Sequence, residues 1–433
     1  MKRLMTAALI LLTAGAWAQN RITVDADYLS RGEIRRGGLP KTEEGGSNNN
    51  RAGFLIERTR LGFDYATQGL EARLTAQHSG TWGSATGGLF NVHEAWVKFT
   101  HRGLFAQVGR QNLSYDDQRI FGSDDWSMTG ISHDALKIGL EGRGHKLHLF
   151  GAYNQNPENI TGGSYYTGGL QPYKAMEALW YHWDIPRTNI GLSLLAMDLG
   201  MQGGEKGSSG DDYNPEKMFH QQLYGTFIRW KPKKWMAEAA YYKQGGKEEN
   251  GLPLDAWMAS GKLSFSPTKH FTAYGGYDYL SGDKYFAVPP GGMIGMVKHD
   301  VVRGFSSVYG SHHDFYGAME FFYLSTFRSG FTPGLQNAYG GVSWNPGEKA
   351  SLNLAYHFLA IATDLEDVDK PLGNEFEFSM SYKFRKDASL SMGYTFMNGT
   401  ESLVKLKRSD EGSKLHWAWI MLTVSPRLFT SKN

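Results

Sequence analysis

Positively charged side chains recur at every second position of several short segments, with carboxylates interspersed among them. Arg58 and Arg60 share one such segment, and Glu71 and Arg73 share the next. A guanidinium group stays charged at any relevant pH and holds carboxylates through charge-assisted, often bidentate hydrogen bonds. A row of such groups binds acidic solutes weakly and in succession, which suits selective passage rather than catalysis.

The segments that carry these charges alternate between polar and apolar residues. From Glu375 to Phe384 every even position is apolar and every odd position is polar, and residues 389–396 repeat the pattern after a turn at 385–387. Because successive side chains of a strand point to opposite faces, each segment is predicted to be a strand with one apolar face. A soluble sandwich buries that face, whereas a transmembrane barrel turns it towards lipid and leaves the polar face to line a lumen.

The number of strands and the lengths of their connections favour the barrel. Short connections such as Gln68-Gly69 and Pro186-Arg187 alternate with long polar ones such as 115–134 and 281–334. This is the pattern of periplasmic turns and extracellular loops, so we predict an all-β, antiparallel, up-and-down transmembrane barrel of about 18 strands. The predicted strands begin near Ile22, Ala52, Leu70, Phe90, Leu104, Ala135, Lys146, Lys174, Asn189, Gln222, Trp235, Ala256, Phe271, Asn337, Ser351, Glu375, Ser389 and Trp417.

The start of the chain predicts export. Lys2 and Arg3 precede an apolar run, which ends in the small-residue pattern Ala16-Trp17-Ala18. This arrangement is typical of a secretory signal peptide, and we expect cleavage after Ala18. The predicted organisation is therefore a signal peptide over residues 1–18 and a single barrel domain over 19–433, in the outer membrane of a Gram-negative bacterium.

The composition agrees with an exported barrel. The 433 residues include 54 glycines, 23 tyrosines and no cysteine, and the mean hydropathy of −0.43 is expected for strands that are half polar. Without cysteine the chain forms no disulfide and offers no thiolate to a metal. There are 45 Lys and Arg against 43 Asp and Glu, and removal of Lys2 and Arg3 leaves 43 of each. This neutral balance predicts no nucleic-acid partner.

Strand periodicity places several cations on the inward faces, in particular Lys98, Lys137 and Lys262 besides Arg58, Arg60 and Arg73. Inward carboxylates such as Glu71 and Glu94 accompany them. One interpretation is a charged pore that selects solutes. The other is a ladder of cross-strand ion pairs that neutralises itself and selects nothing. A barrel of about 16–18 strands is wide enough for an aqueous channel unless loops fold inwards, and the long 281–334 loop is a candidate for doing so.

Five segments carry a family resemblance. The run from Val108 to Trp126, together with Arg58–Arg60, His93–Trp96, His313–Gly317 and Gly373–Phe376, resembles the alginate export family of outer-membrane porins. The resemblance implies an eighteen-stranded barrel with an arginine-rich lumen that conducts a uronate polysaccharide outwards. The neighbouring acids leave open a general porin, or one for another glycan. By this resemblance the lumenal cations are Arg58, Arg60, Arg73, Arg110 and Arg119.

No catalytic motif of a hydrolase, metalloprotease or nucleotide-binding enzyme occurs in the sequence, so we predict neither an enzyme nor a cofactor. His312 and His313 are adjacent and would point to opposite sides of a strand, which disfavours a shared metal ion. The expected partners are outer-membrane lipid, lipopolysaccharide and a small-molecule or glycan solute. Two alternatives remain: a plugged barrel serving as an adhesin or structural anchor, and a soluble carbohydrate-binding β protein.

Overall fold

The computed structural model describes residues 20–36, 51–155, 171–202, 217–249, 251–284, 301–320, 332–407 and 414–431. The predicted signal peptide lies outside these residues. Nearly all of the regular structure is β. The strands are β1 Arg21–Arg36, β2 Arg51–Thr67, β3 Leu70–Thr81, β4 Leu89–His101, β5 Leu104–Gln111, β6 His133–Gly142, β7 His145–Tyr153, β8 Ala175–Ile185, β9 Ile190–Gln202, β10 Met218–Trp230, β11 Trp235–Gly246, β12 Ala256–Thr268, β13 Phe271–Leu280, β14 Leu335–Trp344, β15 Ala350–Ala360, β16 Pro371–Arg385, β17 Ala388–Gly399, β18 Lys414–Val424 and β19 Arg427–Thr430.

Each strand from β1 to β18 pairs antiparallel with its neighbour in the sequence, and β1 closes the ring by pairing with β18 from Tyr28–Val424 to Arg36–His416. The short strand β19 follows β18 and pairs with β1 at Thr23–Asp25. The prediction of a closed, antiparallel barrel of 18 strands is therefore confirmed. Closure leaves the ring without unpaired strand edges, which a sheet in lipid requires.

The outer surface of the barrel is apolar. Ile138 pairs with Leu149, and Leu149 pairs with Leu179 on the next strand, so the three side chains share one face. All three are exposed, at 43%, 49% and 38% respectively. The alternate positions turn inwards, where polar residues such as Gln77 and Gln107 are buried. An apolar exterior around a polar interior is the arrangement of a membrane barrel.

Tight turns join the strands at one end. Gly69 and Gly103 occupy two of these turns with positive φ values of 76° and 85°, a backbone conformation that glycine adopts without strain. At Gly103 a side chain would also collide with the carbonyl oxygen of Glu141, since a Cβ atom there lies 2.6 Å from it. Glycine therefore fixes the geometry of this turn.

One short helix, α1 (Glu401–Lys407), follows β17 and contacts β16 and β17. Its Leu403 and Leu406 are buried against the wall. Within the described ranges, no helix has the length and apolar character to cross a membrane.

Candidate functional site

Two connections on the long-loop side fold into the barrel. Loop A, residues 112–132, follows β5, and loop B, described over residues 301–320, precedes β14. Their backbones are joined: the amide of Gly122 donates to the Tyr309 carbonyl at 2.9 Å, and the amide of Ser311 donates to the Gln118 carbonyl at 2.9 Å. The long 281–334 connection, which the sequence marked only as a candidate for folding inwards, does so in its described part, and the sequence did not predict its pairing with loop A.

Apolar side chains of both loops fill one side of the lumen. Phe121 of loop A lies 5.4 Å from the ring of Phe150 on β7 and 5.9 Å from Tyr309 of loop B. Tyr115 stacks on Phe150 at 5.5 Å, and its hydroxyl group lies 3.1 Å from His148 Nδ1. These contacts form an apolar core inside the barrel, which narrows the lumen.

Arg119 joins both loops to the wall. Its Nη1 atom lies 2.9 Å from the Tyr316 hydroxyl oxygen and 3.2 Å from Asp278 Oδ1 on β13, and its Nε atom lies 3.2 Å from Asp117 Oδ2. Its guanidinium group also covers the ring of Phe315 at 4.2 Å. Burial alone would lower the pKa of Arg119, but Tyr316, Asp278 and Asp117 together raise it well above its ordinary value. Because Arg119 is only 4% exposed, it acts as an anchor and is shielded from the open part of the lumen.

A second junction lies near β1. The indole ring of Trp126 in loop A stacks on His313 of loop B, with centroids 3.8 Å apart and planes within 5°. Arg31 of β1 covers Trp126 at 3.8 Å, and Glu33 accepts hydrogen bonds from both Arg31 and Arg35, at 2.7 and 2.9 Å. The sequence analysis missed these β1 residues, although charges at every second position of the strand mark one face.

The three arginines predicted on β2 and β3 point inwards, and each has a carboxylate partner. Arg73 lies 2.8 Å from Asp64 and 2.9 Å from Glu94, and a third acid, Asp25, lies 3.4 Å away. Arg58 bonds Asp27 at 3.2 Å and Arg60 bonds Asp125 of loop A at 2.8 Å. Arg58 and Arg60 also hold loop A, because Arg58 donates to the carbonyl oxygens of Asp125 and Ser127 at 3.0 and 3.2 Å.

Arg110 lies on the outside of the barrel, contrary to the lumenal position that the family resemblance implies. It pairs across the sheet with Ala95 and Asp134, and it has the same parity as Val108, which is 53% exposed on the apolar face. Its Nε and Nη2 atoms donate to the two carboxylate oxygens of Asp134, both at 2.8 Å. The alternation within β5 itself would have given this placement.

The three predicted lysines differ from the arginines, because among the described residues their ammonium groups form no ion pair. Lys98 and Lys137 both lie over the ring of Phe105, at 4.8 and 6.0 Å, and their strands are separated by the single strand β5. Lys262 lies over Tyr274 at 4.9 Å. The charges of these three side chains are therefore not neutralised by any described carboxylate.

Two adjoining cavities lie between the loops and the wall. The first, of about 460 Å³, is bounded by both loops and by strands β10 to β16. The second, of about 470 Å³, shares Asp116, Phe227 and Arg229 with it and extends to Lys231 in the turn between β10 and β11. Together they lead from the loops towards the short-turn end of the barrel.

The lining of the first cavity carries more acidic than basic side chains. Several are already neutralised, since Arg229 bonds Glu238 at 2.7 Å and Arg119 is held between two acids. Burial raises the pKa of Asp116, whose carboxylate accepts the indole N–H of Trp180 at 3.1 Å. Its lining holds the cations Arg119, Arg229 and Lys262 and the carboxylates of Asp116, Asp117, Glu238, Asp278, Asp314 and Glu377. The excess of carboxylates makes this part of the lumen more favourable to cations than to anions.

Metal chemistry has no support in the described part of the chain, where no three His, Cys, Asp or Glu side chains are grouped to hold an ion. His313, a candidate ligand in the sequence, instead stacks on Trp126 and lies 2.8 Å from Glu320 Oε1.

Comparison with known proteins gives the fold. No family model matches the sequence, and no curated protein matches it, so the resemblance to the alginate export family is not supported. OccK2 (OpdF) of Pseudomonas aeruginosa superimposes with a TM-score of 0.61 at 13% identity, over 94% of this chain and 98% of that one. A BenF-like porin from Pseudomonas fluorescens Pf-5 gives 0.60 at 13%, over 94% and 99%. OccK2 has also been crystallised with glucuronate. The chain therefore has the fold of these outer-membrane porins.

Proposed function

We propose that this protein is an outer-membrane channel that passively conducts small hydrophilic solutes. The observation that carries the proposal is a closed barrel with an apolar exterior and charged internal cavities, narrowed but still hollow beside loops A and B. The fold shared with Occ and BenF-like porins supports it. The infolded loops favour small solutes over a polysaccharide, because they fill one side of the lumen.

The arginines have a structural role in this proposal. Arg58, Arg60 and Arg73 each neutralise wall or loop carboxylates, so an acidic solute would have to displace a carboxylate that is already bound. The first cavity has more carboxylates than cationic side chains in its lining, and this excess gives a weak preference for cationic solutes. The interpretation as a self-neutralising ladder therefore explains the arginines better than the interpretation as a row of anion sites.

A second candidate is passage of small acidic sugars. It rests on Lys98 and Lys137, whose ammonium groups have no ion-pair partner within the described ranges and lie beside one aromatic ring on neighbouring inward positions. Two cations this close repel each other, and an anion between them would relieve the repulsion.

The reversal potential of the purified protein in a planar bilayer under a salt gradient separates these candidates. We expect weak cation selectivity in the wild type. It should increase in the Arg58→Ala/Arg60→Ala/Arg73→Ala variant, because the carboxylates lose their partners, and in Lys98→Gln/Lys137→Gln, because two positive charges are lost. Anion selectivity that disappears in the arginine variant would overturn the structural role of the arginines.

A matched control removes an arginine outside the lumen pathway. Arg385 pairs with Asp387 in a turn at the short-turn end, and Arg385→Ala should leave the selectivity unchanged. A folded barrel that inserts into the bilayer but carries no current would refute the channel and favour a plugged structural barrel. Recovery of the protein in the aqueous phase after detergent partition would refute the membrane location itself.

A further inference from the structure

The junction between loops A and B near β1 combines an aromatic stack with several titratable groups. Trp126 lies between Arg31 and His313, each 3.8 Å from its ring centroid. His313 Nδ1 lies 2.8 Å from Glu320 Oε1. Two residues before Trp126, the backbone amide of Asp124 donates to the Ser311 hydroxyl at 3.0 Å. We call this group of loop residues, Asp124, Trp126, His313, Asp314 and Glu320, the loop joint.

The loop joint contains more acid than base. Burial, together with the neighbouring charges of Glu320 and Asp314, raises the pKa of Asp124 to about 6, although a hydrogen bond from Ser127 and the proximity of His313 act in the opposite direction. Asp124 of loop A therefore experiences the charges of two acids of loop B, Asp314 and Glu320. The repulsion between Asp124 and these two acids acts to separate the loops.

We propose that the loop joint is a proton-sensitive constriction: acid pH tightens the contact between loops A and B and narrows the channel, and neutral pH loosens it. Protonation of Asp124 removes one repulsive charge from the contact. This inference rests on the proposed channel function.

The direction follows from linkage. The pKa of Asp124 is raised in the joined state, so protonation of its carboxyl group stabilises that state. This stabilisation is complete below the ordinary pKa of about 3.9 and is lost as the pH rises through about 6. The ratio of joined to separated loops therefore changes by at most about tenfold per pH unit for this one group, between about pH 4 and 6. Among the described residues, the other charged groups that face the joint are His312 of loop B, Asp125 of loop A with its partner Arg60, and Arg31, Glu33 and Arg35 of β1.

The junction also has anchors that do not respond to acid in this range. Arg119 holds loop B at Tyr316, and the backbone bonds of Gly122 and Ser311 hold the two loops together further along. Proton binding at the joint would therefore change the width of the first cavity, whose lining includes His313 and Asp314, without releasing either loop from the wall.

Single-channel conductance in planar bilayers, measured from pH 4 to 8 in about 1 M KCl, tests the proposal. At that ionic strength the Debye length is about 3 Å, so titration of distant lumenal carboxylates has little effect on the current. We expect lower conductance at pH 4.5 than at pH 7.5, with the change between about pH 4 and 6. Asp124→Asn should show the low conductance at both pH values. His313→Phe keeps the stack but removes the charge that lowers the pKa of Asp124, so it should move the response to higher pH.

The control variant Asp364→Asn removes an equivalent charge from a side chain that is 93% exposed in another loop, and it should retain the wild-type response. Conductance that does not change with pH, or that rises in acid, would overturn the proposal. So would a pH response identical to the wild type in both Asp124→Asn and His313→Phe, and the second variant remains informative if the first does not fold. Absence of any current at every pH would instead refute the channel function.

Discussion

Arg119 gives the most direct test of how the lumen is built. Asp278 is 2% exposed and lies 3.2 Å from the Arg119 guanidinium group, so Arg119→Ala would leave a buried carboxylate without its cation. Removing one partner of a buried pair costs about 3–5 kcal/mol, because the remaining charge is neither solvated nor compensated. The Tyr316 hydroxyl also loses its 2.9 Å contact, which weakens the attachment of loop B. We therefore expect a loss of stability together with a wider and noisier channel.

The assay pairs urea unfolding in detergent micelles, followed by the gel shift between folded and unfolded barrel, with single-channel recording. Arg119→Ala should lower the unfolding free energy by about 3–5 kcal/mol and raise the conductance. The double variant Arg119→Ala/Asp278→Asn should recover most of the stability, since no uncompensated charge remains and Asn337 can still donate to position 278. The surface pair of Arg385 and Asp387 supplies the control, and Arg385→Ala should change neither quantity.

An unchanged unfolding free energy together with an unchanged conductance in Arg119→Ala would refute this reasoning. It would mean that water replaces the guanidinium group and that the loops are held by their apolar contacts alone. A double variant as unstable as the single variant would show that lost packing against Phe315, rather than charge, is the cause.

Three further predictions test other parts of the molecule. Ile138→Arg places a charge on the apolar exterior and should lower the unfolding free energy in lipid vesicles by about 2–4 kcal/mol if the site lies near the bilayer midplane. A negligible change in this free energy would contradict a lipid-facing surface. Gly103→Ala should lower the free energy of urea unfolding by about 1–2 kcal/mol, because the turn requires a positive φ and the added Cβ atom would collide with the carbonyl oxygen of Glu141. Gly142→Ala is the control and should not change this free energy, because no atom lies near the added Cβ. Trp126→Ala should widen the channel and remove the pH response of the loop joint, and an unchanged current would argue against a constriction there.

Much of the barrel could be predicted from the sequence, for a physical reason. Successive side chains of a strand point to opposite faces, so a strand with lipid on one side and water on the other alternates between apolar and polar residues. The number of strands is then found by counting these alternating segments. The first predicted strands, near Ile22, Ala52 and Leu70, begin within one residue of β1, β2 and β3. The same pattern placed Arg73 on the inner face. The same alternation within β5 places Arg110 on the outer face, in contrast to the lumenal position implied by the family resemblance.

The lumen could not be predicted in the same way. Loops A and B are separated by about 170 residues, and nothing periodic in either one indicates that Gly122 meets Tyr309 or that Trp126 stacks on His313. Whether an inward arginine is free or neutralised depends on which acid lies across the sheet or on an infolded loop, and that is set by register and loop path. The sequence by itself therefore determined the wall of the barrel and the side of the wall on which most charges lie. Only the tertiary structure decided which charges remain available, because pairing and burial arise from contacts between residues far apart in the chain.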